Sequence, residues 1–153
     1  MDAPPNDTKS CFSWERRVEF CETDAAGIVH FASLILYMEQ AEHALLRSLG
    51  YSVAPSATRS SPAPSESSVT WPRVHVECDF HAPARFEDLL QIRVGIASLG
   101  SKSICYDHSI FLGKQLVATG KMTSVCCEVQ SGHIASQNIP TEMRNALSRF
   151  LTN

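Results

Sequence analysis

The 153-residue chain is long enough for one domain with a real core, and 44% of its residues are hydrophobic. A formal net charge of −3 offers no basic patch to neutralise a phosphate backbone, which argues against nucleic acid as the main partner. No run of ~18 apolar residues is present and the first ten residues hold no apolar signal core, so no membrane span is expected and the chain is read as cytoplasmic.

Residues 1–10 read as a disordered tail, and residues 11–153 as a single domain. Phe12 to Phe20 has the pattern of a first strand. Phe31 to Leu49 reads as one long helix stopped by Gly50, because Phe31, Leu34, Ile35, Met38, Ala41, Leu45 and Leu49 recur at three- and four-residue steps. Nineteen residues of helix span about 28 Å. Residues 52–68 are rich in Ser, Pro and Ala and read as a flexible loop that interrupts the fold without dividing it.

Beyond the loop, Val74, Val76, Cys78 and Phe80 alternate with His75, Glu77, Asp79 and His81, the mark of a strand with one covered face. Leu90 to Ile96 alternates in the same way. Leu99-Gly100-Ser101 turns the chain into Ser103 to Leu112, and Gly113-Lys114 turns it into a long strand from Gln115 to about Val129. Pro140-Thr141-Glu142 then opens a short helix to about Leu151, with Pro140 where a missing N–H does no harm. A strand, a long helix and four consecutive strands give an α+β domain with an antiparallel sheet.

The segment joining the first strand to the long helix carries the chemistry. Asp24 is followed by Ala25, Ala26 and Gly27, and the helix starts at Phe31. A carboxylate is thereby placed near backbone N–H groups that have no partner within the helix. Such groups polarise a carbonyl and stabilise the oxyanion formed when it is attacked. An ordinary aspartate is ionised at neutral pH and is a feeble base toward water, yet it is a serviceable nucleophile. The bare residues are equally those of an N-cap or Asx turn.

Asp24, Gly27 and Val29, with aromatic residues at the helix start, resemble the Asp-x-x-Gly-x-Val pattern of the 4-hydroxybenzoyl-CoA thioesterase family. The likeness continues through Tyr37-Met38-Glu39 and through Phe80 to Leu89, and covers about residues 12–130. It implies a hotdog fold, with the antiparallel sheet wrapped round one long central helix. It implies hydrolysis of an acyl-CoA thioester, with Asp24 as nucleophile or general base, Gly27 in the turn, and the backbone N–H of Phe31 as oxyanion donor. A homodimer or homotetramer is implied as well, its sheets joined edge to edge and its active sites between subunits. His30 and Phe31 stand where Trp and Tyr are often found in the family.

Three further groups are candidates. His30 can contact the acyl group or simply pack at the helix start. Gly100, Ser101 and Lys102, with Ser103, form a turn whose N–H groups, hydroxyls and ammonium suit the phosphates of CoA, and an ordinary solvated turn accounts for them equally well. Arg73, Arg85 and Lys121 are possible further phosphate contacts. Glu39 is a second carboxylate, since another branch of hotdog thioesterases uses a helix Glu; a structural hydrogen bond or a solvated face is its plainer reading.

No cofactor is expected. No metal is expected either, since His75, His81, Glu77 and Asp79 share no ligand spacing. The six cysteines, Cys11, Cys21, Cys78, Cys105, Cys126 and Cys127, include no Cys-x-x-Cys pair and read as reduced thiols. Cys126 and Cys127 are expected on opposite faces of one strand. Two rival functions remain: a hotdog dehydratase, whose His-containing loop motif is not found here, and a non-catalytic binder of acyl-CoA or acyl carrier protein. The identity of the acyl group is not legible.

Overall fold

The computed structural model describes residues 10–54 and 69–152. In chain order the elements are β1 (Phe12–Arg17), a 3-10 turn (Phe20–Glu22), α1 (Phe31–Ser48), β2 (Val69–Thr70), β3 (Arg73–Phe80), β4 (Leu89–Leu99), β5 (Ser103–Leu112), β6 (Gln115–Val125), β7 (Cys127–Gln130), β8 (His133–Ser136) and α2 (Thr141–Ser148). An antiparallel five-stranded sheet has the order β1-β4-β5-β6-β3, and a small sheet has the order β2-β7-β8. The expected tail and loop fall outside the described residues except for Ser10 and for Ser52, Val53 and Ala54.

Helix α1 packs against β4, β1 and β6. Its buried face carries Leu34, Tyr37, Met38, Ala41, Leu45 and Leu46, and the facing strands contribute Leu90, Ile92, Val94, Ile110 and Met122. Each large aliphatic side chain so buried contributes about 1.5–3 kcal/mol. The close approach of helix to sheet depends on Gly120: a Cβ there would lie 2.8 Å from Met38 Sδ and 2.8 Å from the Glu77 carbonyl oxygen. Gly50 ends the helix as expected, at φ 85°, with Gly50 N–H donating to Arg47 O and Tyr51 N–H to Leu46 O. This is the paired-bond C-terminal motif that favours glycine.

Five expectations are corrected. The first strand stops at Arg17, and the chain from Phe20 makes a 3-10 turn in place of more strand. The long strand from Gln115 ends at Val125, because Cys126 turns away to donate its N–H to Lys102 O and to accept from Gln137 N–H. Cys126 and Cys127 are therefore both buried, and not divided between two faces. Val74, Val76 and Phe80 are 61%, 42% and 52% exposed, so among the described residues only Cys78 of the apolar face of β3 is partly covered. The physical reason is topological. β3 does not form a hairpin with β4 but lies at the sheet edge beside β6, away from the strands on which α1 mainly rests.

At the C-terminus α2 ends at Ser148, and Leu151 instead makes a parallel bridge to Ile96.

Candidate active site

The turn bearing Asp24 is built largely from its own hydrogen bonds. Asp24 Oδ1 accepts from Ala26 N–H at 2.8 Å and from Ile28 N–H at 3.4 Å. Asp24 N–H donates to Ile28 O, and Gly27 N–H to Asp24 O. The last bond closes a tight turn in which residue 27 has φ 74°, a conformation that glycine adopts without strain. Asp24 Oδ2 has no hydrogen-bond partner among the described residues, so one carboxylate oxygen fixes the orientation and the other is free.

Helix α1 begins directly after this turn. His30 is its N-cap, with its ring Nδ1 accepting from Ala32 N–H at 3.2 Å and its carbonyl from Ser33 N–H at 2.9 Å. The Phe31 N–H, one residue earlier, has no such partner among the described residues. An unpartnered N–H at a helix N-terminus, where the dipole is positive, is a donor suited to a developing oxyanion.

Asp24 and Phe31 line one cleft of about 440 Å³, with Ile28, Leu34, Phe80, His81 and the segment Ala82–Ala84 completing its walls. The walls are largely apolar, and the volume is that of a small-molecule site. Val29 N–H donates to Ala84 O at 2.8 Å, stitching the turn to the segment that follows β3. His81 Nε2 lies 2.9 Å from Thr119 Oγ1.

The other expected residues fall elsewhere. His30 is exposed and does not line the cleft; its ring centroid is 4.5 Å from that of Phe31, and its Nδ1 is taken up by the cap bond. Gly100, Ser101 and Lys102 lie at the other end of β4, eleven residues and about 33 Å from the strand end nearest Asp24. The carbonyls of that turn are occupied by Arg144, Ile139 N–H and Cys126 N–H. Glu39 is 3.6 Å from Arg73, and Arg73 is 2.8 Å from Glu42, so Arg73 is engaged in ion pairs. Among the described residues no group of three or more His, Cys, Asp or Glu side chains could hold a metal ion, and no helix is long and apolar enough to cross a membrane.

Sequence reasoning missed the walls contributed by Leu34, Phe80, His81 and Pro83. For Phe80, His81 and Pro83 the signal was the likeness of the Phe80 to Leu89 segment to a family motif; Leu34 was legible only as an apolar position of the helix.

A family model described as the thioesterase superfamily matches residues 26–119. The chain belongs to the thioesterase superfamily. Among its relatives, a 1,4-dihydroxy-2-naphthoyl-CoA hydrolase of Synechococcus sp. (strain CC9605) is 35% identical over 119 residues, covering 76% of each chain. The acyl-CoA thioester hydrolase YbgC of Escherichia coli O157:H7 is 28% identical over 117 residues, 76% of this chain and 81% of its own. A 1,4-dihydroxy-2-naphthoyl-CoA thioesterase from Synechocystis superposes with a TM-score of 0.75 at 26% identity, covering 90% of this chain and 96% of the other. The family and the reaction class expected from the sequence, thioester hydrolysis, both agree with these findings. In this thioesterase the matched region opens two residues after Asp24 and includes the turn glycine, all of α1 and the cleft walls up to β6.

Proposed function

We propose that the protein hydrolyses aromatic acyl-CoA thioesters, with Asp24 as the nucleophile. One observation carries the reading: Asp24, with one carboxylate oxygen unpartnered among the described residues, and Phe31, whose helix N-terminal N–H is likewise unpartnered, line the same apolar cleft. The free oxygen of Asp24 attacks the thioester carbonyl carbon. The carbonyl electron pair moves onto oxygen, where the Phe31 N–H and the positive end of α1 stabilise it. Collapse breaks the C–S bond and expels the CoA thiolate. Water then cleaves the acyl-aspartate anhydride, releasing the acid and restoring the carboxylate. The bonds from Ala26 and Ile28 suit this role better than that of general base, since they hold the carboxylate at one angle toward the acyl carbon.

The aromatic preference rests on the rings of Phe31 and Phe80 flanking the cleft and on relatives that act on naphthoyl-CoA. In this reading the sheet wraps α1 as a hotdog, and a second copy pairs along β3, whose Val74, Val76 and Phe80 are uncovered. Antiparallel pairing of the two β3 edges brings the Arg73 end of one protomer beside the Phe80 end of the other. The Gly100–Lys102 turn then reaches the CoA phosphates only from the second copy. A dimer is the minimal unit, and a tetramer is a pair of such dimers. The reduced thiols of Cys21, Cys78, Cys105, Cys126 and Cys127 suit a reducing compartment, which the cytoplasm provides.

The test is thiol release from aromatic and aliphatic acyl-CoAs by the wild type and by Asp24→Asn. Turnover of aromatic thioesters, with kcat lowered about 100-fold by Asn, is the expected result. Binding without cleavage would make the protein an acyl-CoA carrier, and water elimination from a hydroxyacyl thioester would make it a dehydratase.

A further inference from the structure

Asp24 sits on a turn and the Phe31 N–H sits on a helix, so the distance between attacking oxygen and oxyanion donor depends on whatever fastens turn to helix. Glu22 is the fastening. Its carbonyl accepts from His30 N–H at 2.9 Å and from Ser33 Oγ at 3.2 Å, which ties the chain just before Asp24 to the first turn of α1. Its carboxylate accepts from Tyr37 Oη at 2.6 Å, two turns along the same helix. Arg16 of β1 donates to the other carboxylate oxygen at 2.5 Å, and Glu19 N–H closes a local ring at 2.7 Å.

The arrangement is sheltered: Tyr37 is 1% exposed, and the Glu22 side chain 17%. Arg16 also lies over the Tyr37 ring, 5.6 Å from its centroid. None of the three side chains lines the cleft. They are therefore placed to set geometry without touching the acyl group.

We propose that Glu22 is the positioning residue of the reaction, held by Tyr37 and Arg16 so that the Asp24 carboxylate stays in register with the Phe31 N–H; this rests on Asp24 being the nucleophile. Misplacing reacting groups by about 1 Å costs on the order of 10²-fold in rate. Because the cleft walls are untouched, the loss falls on kcat and spares KM.

The experiment measures kcat, KM and Tm for Tyr37→Phe, Glu22→Ala and the double variant, with Asp24→Asn alongside. Tyr37→Phe removes one hydroxyl and is expected to lower kcat about tenfold, with KM within about twofold of wild type. Glu22→Ala is expected to lower kcat about 100-fold, and adding Tyr37→Phe to it to cost nothing more, since the two act through one contact. Glu22→Gln, which keeps an acceptor for Tyr37, recovers part of the loss. Wild-type kcat in folded Tyr37→Phe, or additive losses in the double variant, overturns the positioning role while an inactive Asp24→Asn leaves the nucleophile standing. An active Asp24→Asn overturns both. Should Glu22→Ala fail to fold, Tyr37→Phe and Glu22→Gln decide the matter.

Discussion

Replacing Arg73 by Met strands a buried carboxylate, and the cost follows from the contacts. Glu42, on the core side of α1, is 3% exposed, and His108 on β5 is 1% exposed. Arg73 Nη1 lies 2.8 Å from Glu42 Oε2, and His108 Nε2 lies 3.0 Å from Glu42 Oε1. Neither contact has straight hydrogen-bond alignment. Removing one member of a buried pair costs roughly 3–5 kcal/mol because the other charge is left uncompensated.

Two features place Arg73→Met at the lower end, about 3 kcal/mol. The Arg73 side chain is 20% exposed, so water can reach the gap it leaves, and the His108 ring still lies 3.0 Å from Glu42 Oε1. At about 2–4 °C per kcal/mol for a domain of this size, Tm falls by roughly 6–12 °C. Adding Glu42→Gln replaces the stranded carboxylate by a neutral group of the same shape, and most of the loss returns. Thermal melts followed by circular dichroism at neutral pH read both variants. Little change is expected in added salt, because buried pairs are weakly screened. A Tm for Arg73→Met within about 2 °C of wild type, or a further fall on adding Glu42→Gln, would refute the claim that Arg73 compensates Glu42.

Other consequences are as direct. Burial alone would raise the Glu22 carboxyl, but hydrogen bonds from Tyr37, Glu19 N–H and Arg16 outweigh it and hold the group below its ordinary 4.5. A depressed folded value means stability that is complete above about 4.5 and lost as pH falls through the folded value, so Tyr37→Phe should flatten the acid side of a Tm-against-pH curve. Gly120→Ala drives a methyl to within 2.8 Å of the Glu77 carbonyl and of Met38 Sδ, and chemical denaturation should show a loss of about 1–3 kcal/mol. Val76→Lys places a charge on the exposed face of β3, and light scattering is expected to report a dimer for the wild type and protomer mass for the variant; an unchanged assembly would move the proposed interface elsewhere.

The sequence made legible what is local. Asp24, Gly27 and the helix start lie within eight residues, and the turn and cap that relate them are short-range, so spacing alone was enough to bring a carboxylate to a helix N-terminus. The helix was legible for the same reason, its apolar positions repeating every three or four residues and Gly50 supplying the left-handed stop. What spacing could not give was partnership across the sheet. The pairing of β3 with β6 joins residues some forty positions apart, as in Phe80 with Ala118, and no periodicity marks an edge strand. Nor does any pattern separate Glu39, half out in solvent, from Glu42, nearly sealed beside Arg73 and His108, although both lie on one helix.

These two failures have one cause and bear on function in the same way. A period-two pattern reports that one face of a strand is apolar, and leaves open what covers it. For β4 and β5 the cover is the chain's own core, whereas for β3 no part of the described chain provides it, although Phe80 on that strand is also a wall of the Asp24 cleft. An apolar edge that borders the candidate cleft and lacks a cover among the described residues is the kind of surface that marks an interaction site. The proposed bond-making groups, Asp24 and the Phe31 N–H, both lie within one chain. The boundary of the acyl pocket is not, and substrate choice should therefore respond to substitutions on β3 that leave the chemistry of Asp24 unchanged.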